Sequence, residues 1–214
     1  MQYYYMMGNM TGGGWPPSVP LPIAYWKLDG NSNDSVGGNN GIDTSISYVP
    51  AKIKQGAVFN GTSSKIDISQ IDLTGDFTVS FWFKLPATSS TYWGTVLCPT
   101  LGATGAIVIY NNAPYIGLVS VAGNVVTTST VTRLTPDVWT HITVTRNNDN
   151  IRIYLNAVQD GSIGSITGTV SYNLMGYTQQ YFATLEGTVD ELGVWNRTLS
   201  AEEILLLYNS GTGF

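Results

Sequence analysis

Short segments in which apolar and polar side chains alternate, separated by turn residues, constrain the fold of this chain more than any other feature. In the segment Phe77–Lys84, which reads FTVSFWFK, Phe or Val occupies every second position. Successive side chains of a β-strand lie on opposite faces, so this pattern predicts a half-buried strand. Other strands are predicted at 106–110, 115–121, 124–129, 139–145, 151–155 and 188–195, with a tight turn at 147–150. The sequence therefore predicts a chain of many short strands.

One helix is predicted near the C-terminal end. Residues 199–204 read LSAEEI, in which Ser200 and Glu203 have the spacing of a capping box. The helix is expected to continue to about Tyr208 and to end at the turn residues 209–211. Many strands with one short helix predict an all-β fold, a two-sheet antiparallel β-sandwich.

Composition excludes several classes of protein. The chain has 214 residues, 43% of them hydrophobic, which suits one folded domain rather than a disordered chain. Only 11% are charged and the net charge is −5, without clusters of Lys or Arg, which argues against nucleic acid. No apolar run approaches the length of a membrane span. Cys98 is the single cysteine, which excludes an internal disulfide and a cysteine-based zinc site.

Residues 1–22 are predicted to be an N-terminal arm and spacer, and residues 23–214 the folded body. Residues 1–10 read MQYYYMMGNM, and three glycines and four prolines follow before residue 23. The absence of Lys and Arg before Lys27, and the polar break at Gly8 and Asn9, do not match a secretory signal. The arm is interpreted as a disordered tail, as an attachment segment that docks on a partner or on another copy of the chain, or as a cloning artefact.

Six segments then resemble, in order, the motifs of laminin G-like domains in the concanavalin A-like lectin/glucanase superfamily, especially bacterial and viral members. They are residues 24–29, 55–61, 76–84, 139–144, 151–156 and 187–204. The resemblance covers about Ile23 to Tyr208 and implies a concanavalin A-like jelly roll. Asn60 stands where the family usually has Asp, and Asn156 and Ala157 replace the usual Asn-Gly turn.

A calcium ion is the cofactor that the resemblance implies. In superfamily members the Asp of the last strand often binds a structural calcium near the first strand, which here pairs Asp190 with Asp29 and with the turn at Asn60. Simple alternation places Asp190 on the strand face of Leu192 and Val194, so its carboxylate is expected to be partly buried and to need a partner. The alternative is that backbone amides cap Asp190 and no metal binds.

The residues argue against catalysis. No two acidic residues have the spacing of the family's glucanase carboxylates, and alternation places Asp190 and Glu191 on opposite faces. His141 is the only histidine and is predicted to be a hydrogen-bonded sheet residue, while Cys98 is predicted to be buried. No catalytic residues are therefore predicted, and a glycan-degrading enzyme is the least favoured function.

Aromatic side chains in polar loops are the candidates for ligand binding, because lectins of this type place aromatic faces beside amides and hydroxyls. The candidates are Tyr92, Trp93, Tyr115 and Tyr177. The alternative for each is packing beneath a loop.

Two functions remain favoured. The first is a non-catalytic carbohydrate-binding or adhesion module, displayed on a virion or cell surface or extracellular, whose partner is a glycan or cell-surface polysaccharide. The second is a structural decoration or fibre protein of a phage virion, without sugar binding, which residues 1–22 would attach to a capsid or tail protein or to other copies of the chain.

Overall fold

The computed structural model describes residues 18–88, 93–99, 104–110, 115–119, 126–178, 183–211 and 213. They form seventeen strands and one helix, which in chain order are β1 (Ala24–Trp26), β2 (Ile42–Thr44), β3 (Ser47–Pro50), β4 (Gln55–Asn60), β5 (Lys65–Leu73), β6 (Phe77–Lys84), β7 (Trp93–Cys98), β8 (Ile107–Tyr110), β9 (Tyr115–Val119), β10 (Val126–Ser129), β11 (Thr140–Asn147), β12 (Asn150–Leu155), β13 (Val158–Ser165), β14 (Val170–Met175), β15 (Tyr177–Thr178), β16 (Ala183–Thr184), β17 (Glu186–Trp195) and α1 (Ala201–Tyr208).

Two antiparallel sheets make up the sandwich. The eight-stranded sheet has the order β13-β12-β11-β6-β17-β4-β3, and β1 also pairs with β17. The seven-stranded sheet has the order β10-β9-β8-β7-β14-β5-β2, and β15 and β16 form a separate hairpin. The predicted fold class, a two-sheet antiparallel sandwich with one short C-terminal helix, is confirmed.

The main hydrophobic core lies between the two sheets. In the eight-stranded sheet, Phe81 lies opposite Ile142 and Val79 opposite Val144, and all four side chains are buried in this core. The seven-stranded sheet contributes apolar side chains from the facing side, which include Leu97, Ile107, Ile109, Ile116 and Tyr172. The alternation seen in the sequence of β6 therefore selects the core face as predicted.

The other face of β6 is also buried, which the prediction of a half-buried strand missed. The hydroxyl of Thr78 donates a hydrogen bond to the Arg197 carbonyl and accepts one from the Leu199 amide, both at 2.9 Å. The rings of Trp82 and Tyr208 lie 5.8 Å apart. The segment after β17, together with α1, thus covers the outer face of the eight-stranded sheet.

The helix begins and ends as predicted. The Glu203 amide donates to the Ser200 hydroxyl and the Ser200 amide donates to the Glu203 carboxylate, at 3.3 and 2.7 Å, which completes the capping box. Asn209 ends the helix with a left-handed φ of 46°. No helix in the described part of the chain is long and apolar enough to cross a membrane.

The last residues of the predicted spacer lie against the folded body. Val19 is buried in a cluster with Trp195, Leu199, Ile204 and Leu207. The indole N–H of Trp195 donates to the Pro20 carbonyl at 2.8 Å. Packing against the body therefore begins before residue 23, and the predictions for residues 1–17 fall outside the described residues.

Candidate functional site

Three aromatic positions lie in one row across adjacent strands of the seven-stranded sheet. Trp93 is directly opposite Tyr110 in the pairing of β7 with β8, and Tyr110 is directly opposite Tyr115 in the pairing of β8 with β9. Directly opposed residues share a face, and adjacent strands are about 4.8 Å apart, so the row spans roughly 10 Å. We call Trp93, Tyr110 and Tyr115 the aromatic row.

The aromatic row belongs to the outer face of its sheet. Ile109 and Ile116, the strand neighbours of Tyr110 and Tyr115, are buried in the core between the sheets. Val108, two residues before Tyr110, belongs instead to a second buried cluster with Cys98, Ala106 and Leu174. Because successive residues alternate between faces, Tyr110 shares the face of Val108.

Tyr177 lies on the same outer face. Its side chain is partly buried against the second cluster, and the Cys98 thiol donates to its backbone carbonyl at 3.0 Å. The hairpin of β15 and β16 lies against β7. The backbone register thus places positions 93 and 115 on the face where Tyr177 lies, while Tyr92 lies outside the described residues.

Sequence reasoning missed Tyr110. It occupies the last position of β8, a strand whose other residues are Ile, Val and Ile, so the local pattern predicts only that it belongs to a strand. A signal was present, because the polar pair Asn111 and Asn112 follows directly and Tyr115 begins the next predicted strand. Tight pairing of the two strands places Tyr110 opposite Tyr115.

Two of the three predicted calcium ligands lie close together. One oxygen of Asp190 accepts from the Ile53 amide at 2.8 Å. Asp29 accepts from the Gln55 amide at 3.1 Å and pairs with Lys54 at 3.2 Å. The two carboxylates therefore hold the same short loop between β3 and β4.

Asp190 is a buried carboxyl group with one unused oxygen. The residue is 0% exposed, and its Oδ1 has no hydrogen-bond partner among the described residues. Burial raises the pKa of Asp190 to about 7, with a smaller contribution from the nearby negative charge of Asp29, while the Ile53 amide acts in the opposite direction.

Asn60 is held in a different place. Its Oδ1 accepts from the amides of Thr62, Ser63 and Ser64 at 2.9, 2.9 and 3.1 Å, so it caps the turn after β4. Asn60 lies opposite Glu186, four residues before Asp190, a separation of roughly 13 Å along an extended strand. The described residues contain no group of three or more His, Cys, Asp or Glu placed to hold a metal.

A β-bulge interrupts β17 at Asp190 and Glu191. The register against β6 shifts between Asp190 and Gly193, and Glu191 has a φ of 53°. Asp190 lies opposite Trp82, whereas Leu192 and Val194 belong to the core. The prediction that Asp190 shares the face of Leu192 is wrong, because the bulge interrupts the alternation of faces along β17. The prediction that Asp190 and Glu191 lie on opposite faces depended on the same alternation. Asp190 is instead buried beneath the loop between β3 and β4, which contains Ile53.

His141 has a structural environment. Its Nε2 lies 2.9 Å from the Ser80 hydroxyl, which in turn lies 3.1 Å from the Thr143 hydroxyl. The ring is buried beside Trp82 and Tyr208, and burial lowers its pKa to about 3. Its Nδ1 has no partner among the described residues, so no carboxylate there orients it as a catalytic base.

Comparison with known families identifies the fold. A sequence model of the Concanavalin A-like lectin/glucanases superfamily matches residues 59–205, more than two thirds of the chain. The chain belongs to this superfamily. A search of curated protein sequences found no match.

Solved structures with a similar fold include domains in complex with sugars. Domain 4 of an extracellular arabinanase from Geobacillus stearothermophilus, solved in complex with arabinotriose, has a TM-score of 0.69 and 21% identity, covering 86% of this chain and 97% of its own. The binding domain of Paraclostridial Mosquitocidal Protein 1 has a TM-score of 0.64 and 18% identity, covering 88% of this chain and 51% of its own. The ligand-binding domain of botulinum neurotoxin serotype D, solved with N-acetylneuraminic acid, has a TM-score of 0.58 and 15% identity, covering 88% of this chain and 50% of its own. This chain thus spans about half of the toxin domains and nearly all of the arabinanase domain.

Proposed function

We propose that this protein is a non-catalytic carbohydrate-binding module whose ligand stacks on the aromatic row. The observation that carries the proposal is the register of Trp93, Tyr110 and Tyr115, which places three aromatic positions side by side on an outer sheet face. Aromatic rings offer an apolar surface, with a polar group at the end of Tyr and Trp. Sugars present apolar C–H faces and hydroxyls, so they match such a row.

The buried carboxyl groups support a role without catalysis. A retaining glycosidase needs two carboxyl groups about 5–5.5 Å apart on either side of the scissile bond. Asp190 and Glu191 are adjacent acidic residues but are 0% and 7% exposed. Asp190 caps the loop at Ile53, so the pair has no access to a polysaccharide in this arrangement.

The position of the N-terminal segment supports display on a surface. Val19 and Pro20 pack beside α1, on the outer face of the eight-stranded sheet. The aromatic row lies on the outer face of the other sheet. The described end of the N-terminal segment therefore lies on the side opposite the aromatic row, which is compatible with attachment of the module at that side.

A glycan panel tests the proposal. We expect the wild-type protein to bind at least one oligosaccharide or polysaccharide, and Tyr110→Ala to weaken that binding by about tenfold, or about 1.4 kcal/mol, the scale of a stacked aromatic contact. Tyr110→Phe retains the ring and should bind within a few-fold of wild type.

The matched control is Trp139→Ala. Trp139 contacts Lys84, whose ammonium group lies 5.3 Å from the ring centre, next to the eight-stranded sheet. Its loss should leave binding unchanged. Absence of binding across the panel would refute the proposal and favour the alternative, a virion decoration or fibre protein attached through residues 1–22.

A structural calcium ion held by Asp190 and Asp29 is a second part of the proposal. The buried, unpartnered Oδ1 of Asp190 is the supporting observation, and backbone carbonyls and water would have to supply most of the six to eight oxygens that calcium takes. A bound calcium ion would connect Asp190 in β17 with Asp29 in the segment after β1. Its binding should strengthen above about pH 7, because the ion requires the ionised carboxylate.

Thermal melting at pH 8 tests the calcium site. We expect calcium to raise the melting temperature of the wild type above its value in chelator, and Asp190→Asn to lose that response. Asn60→Ala should keep the response, because Asn60 caps a separate turn. An equal effect of calcium on the wild type and Asp190→Asn would rule out the site.

A further inference from the structure

Five of the seven strands of the seven-stranded sheet contain no charged residue. Residues 85–132, a stretch of 48 residues, contain no Asp, Glu, Lys, Arg or His, although the overall charged fraction of 11% would place about five charged residues there. A second stretch, residues 161–185, is also without these residues. Both stretches are rich in Thr, Ser, Gly and Asn.

The fold joins these two stretches in one surface. The five consecutive strands β10-β9-β8-β7-β14 all fall within them, and so does the hairpin of β15 and β16. Charged residues return only in the remaining strands of the sheet: Lys65, Asp67 and Asp72 in β5 and Asp43 in β2. The aromatic row lies in β7, β8 and β9, which are among the five uncharged strands.

A carboxylate lies beside the end of β10. The amides of Val131 and Thr132, just beyond β10, donate to the carboxylate of Asp160. The net charge of the chain is −5, and the strands that hold the row contain no Lys or Arg that would attract an anion. An anionic ligand would give up part of its hydration on binding at the row. Because these strands offer no Lys or Arg to pair with its charge, this desolvation would cost free energy.

We propose that the ligand of the aromatic row is an electrically neutral glycan, recognised by ring stacking and by hydrogen bonds from hydroxyl and amide groups. This inference rests on the proposed function and narrows it. Sialylated, sulfated and uronic acid glycans are excluded as preferred ligands, because their carboxylates or sulfates normally require Arg or Lys. Of the two sugars seen in the structural neighbours, arabinotriose has this chemistry and N-acetylneuraminic acid does not.

Pairs that each consist of a neutral and an acidic glycan test the inference. The probes are lactose against 3′-sialyllactose and galactan against polygalacturonate, with arabinotriose as a further neutral probe. We expect the best ligand to be neutral, and its charged counterpart to bind no more tightly. Affinity should change less than about twofold between about 0.1 and 1 M salt, over which the Debye length falls from about 10 to 3 Å.

The outcomes separate the inference from the proposed function. Both the inference and the proposed function are supported if a neutral glycan binds, if its affinity is insensitive to salt, and if binding is lost in Tyr110→Ala. Preference for the sialylated or uronate member, weakened by salt, overturns the inference while the module remains a glycan-binding protein. No binding to any probe or to the wider panel overturns the proposed function and the inference with it.

Discussion

Replacing Glu191 with glutamine should raise the free energy of unfolding above pH 8 by roughly 4 kcal/mol. Glu191 is 7% exposed, its Oε2 has no hydrogen-bond partner among the described residues, and burial raises its pKa from 4.5 to about 8. Each unit of such a shift corresponds to about 1.4 kcal/mol between the two protonation states. Glutamine has nearly the same shape and does not have to ionise.

The direction in which stability changes with pH follows from proton linkage. Between about pH 4.5 and 8 the folded protein keeps a proton on Glu191 that the unfolded chain has lost, so stability falls as pH rises. Asp190, with its pKa raised to about 7, acts in the same direction. His141, with its pKa lowered to about 3, acts oppositely, because the unfolded chain takes up its proton below about pH 6.5.

Denaturant unfolding from pH 5 to 9, in the presence of chelator, measures this effect. The quantity to compare at each pH is the difference in free energy of unfolding between Glu191→Gln and the wild type, because Asp190 and His141 contribute equally to both proteins. The control is Glu202→Gln, the same change at an exposed helix position. It should not reduce the fall in stability that occurs as the pH rises from 5 to 9. A pH profile of Glu191→Gln parallel to that of the wild type would contradict the burial argument.

Truncating Trp195 to alanine should cost about 3–5 kcal/mol of stability, the range for large buried aromatic side chains. Its ring is buried against Val19, Leu199 and Ile204, and its indole N–H holds the Pro20 carbonyl at 2.8 Å. The substitution therefore removes the contact that joins β17, the N-terminal segment and α1. It also leaves the Pro20 carbonyl without its donor.

Chemical denaturation of Trp195→Ala beside Leu205→Ala measures this contribution. Leu205 is on the same helix but is 54% exposed, so its truncation should change stability by less than about 0.5 kcal/mol. Similar losses in the two variants would mean that the cluster around Trp195 does not stabilise the fold as described.

Seven strands, β6, β8 to β12 and β17, and the helix could be predicted because their signals are local. The capping box at Ser200 and Glu203 depends on side chains three residues apart, and the turn at 147–150 depends on residues that tolerate left-handed backbone angles, as Asn148 and Asp149 do at φ of 46° and 67°. Each signal can be recognised without knowing the rest of the fold.

The pairing of distant segments could not be predicted from local pattern. The bulge at Asp190 appears only when β17 is set against β6, and it changes the face on which Asp190 lies. Tyr110 joins the aromatic row only through its partners in β7 and β9. Burial of Trp82 likewise depends on the C-terminal segment, which reaches it from more than a hundred residues away.

Backbone amide shifts in a nuclear magnetic resonance titration with the best neutral glycan test the central claim most directly. We expect the shifted amides to cluster in β7, β8 and β9, around Trp93, Tyr110 and Tyr115, while β11 to β13 of the other sheet remain unchanged. Shifts that cluster on the eight-stranded sheet or beside α1, with the aromatic row unaffected, would contradict the account.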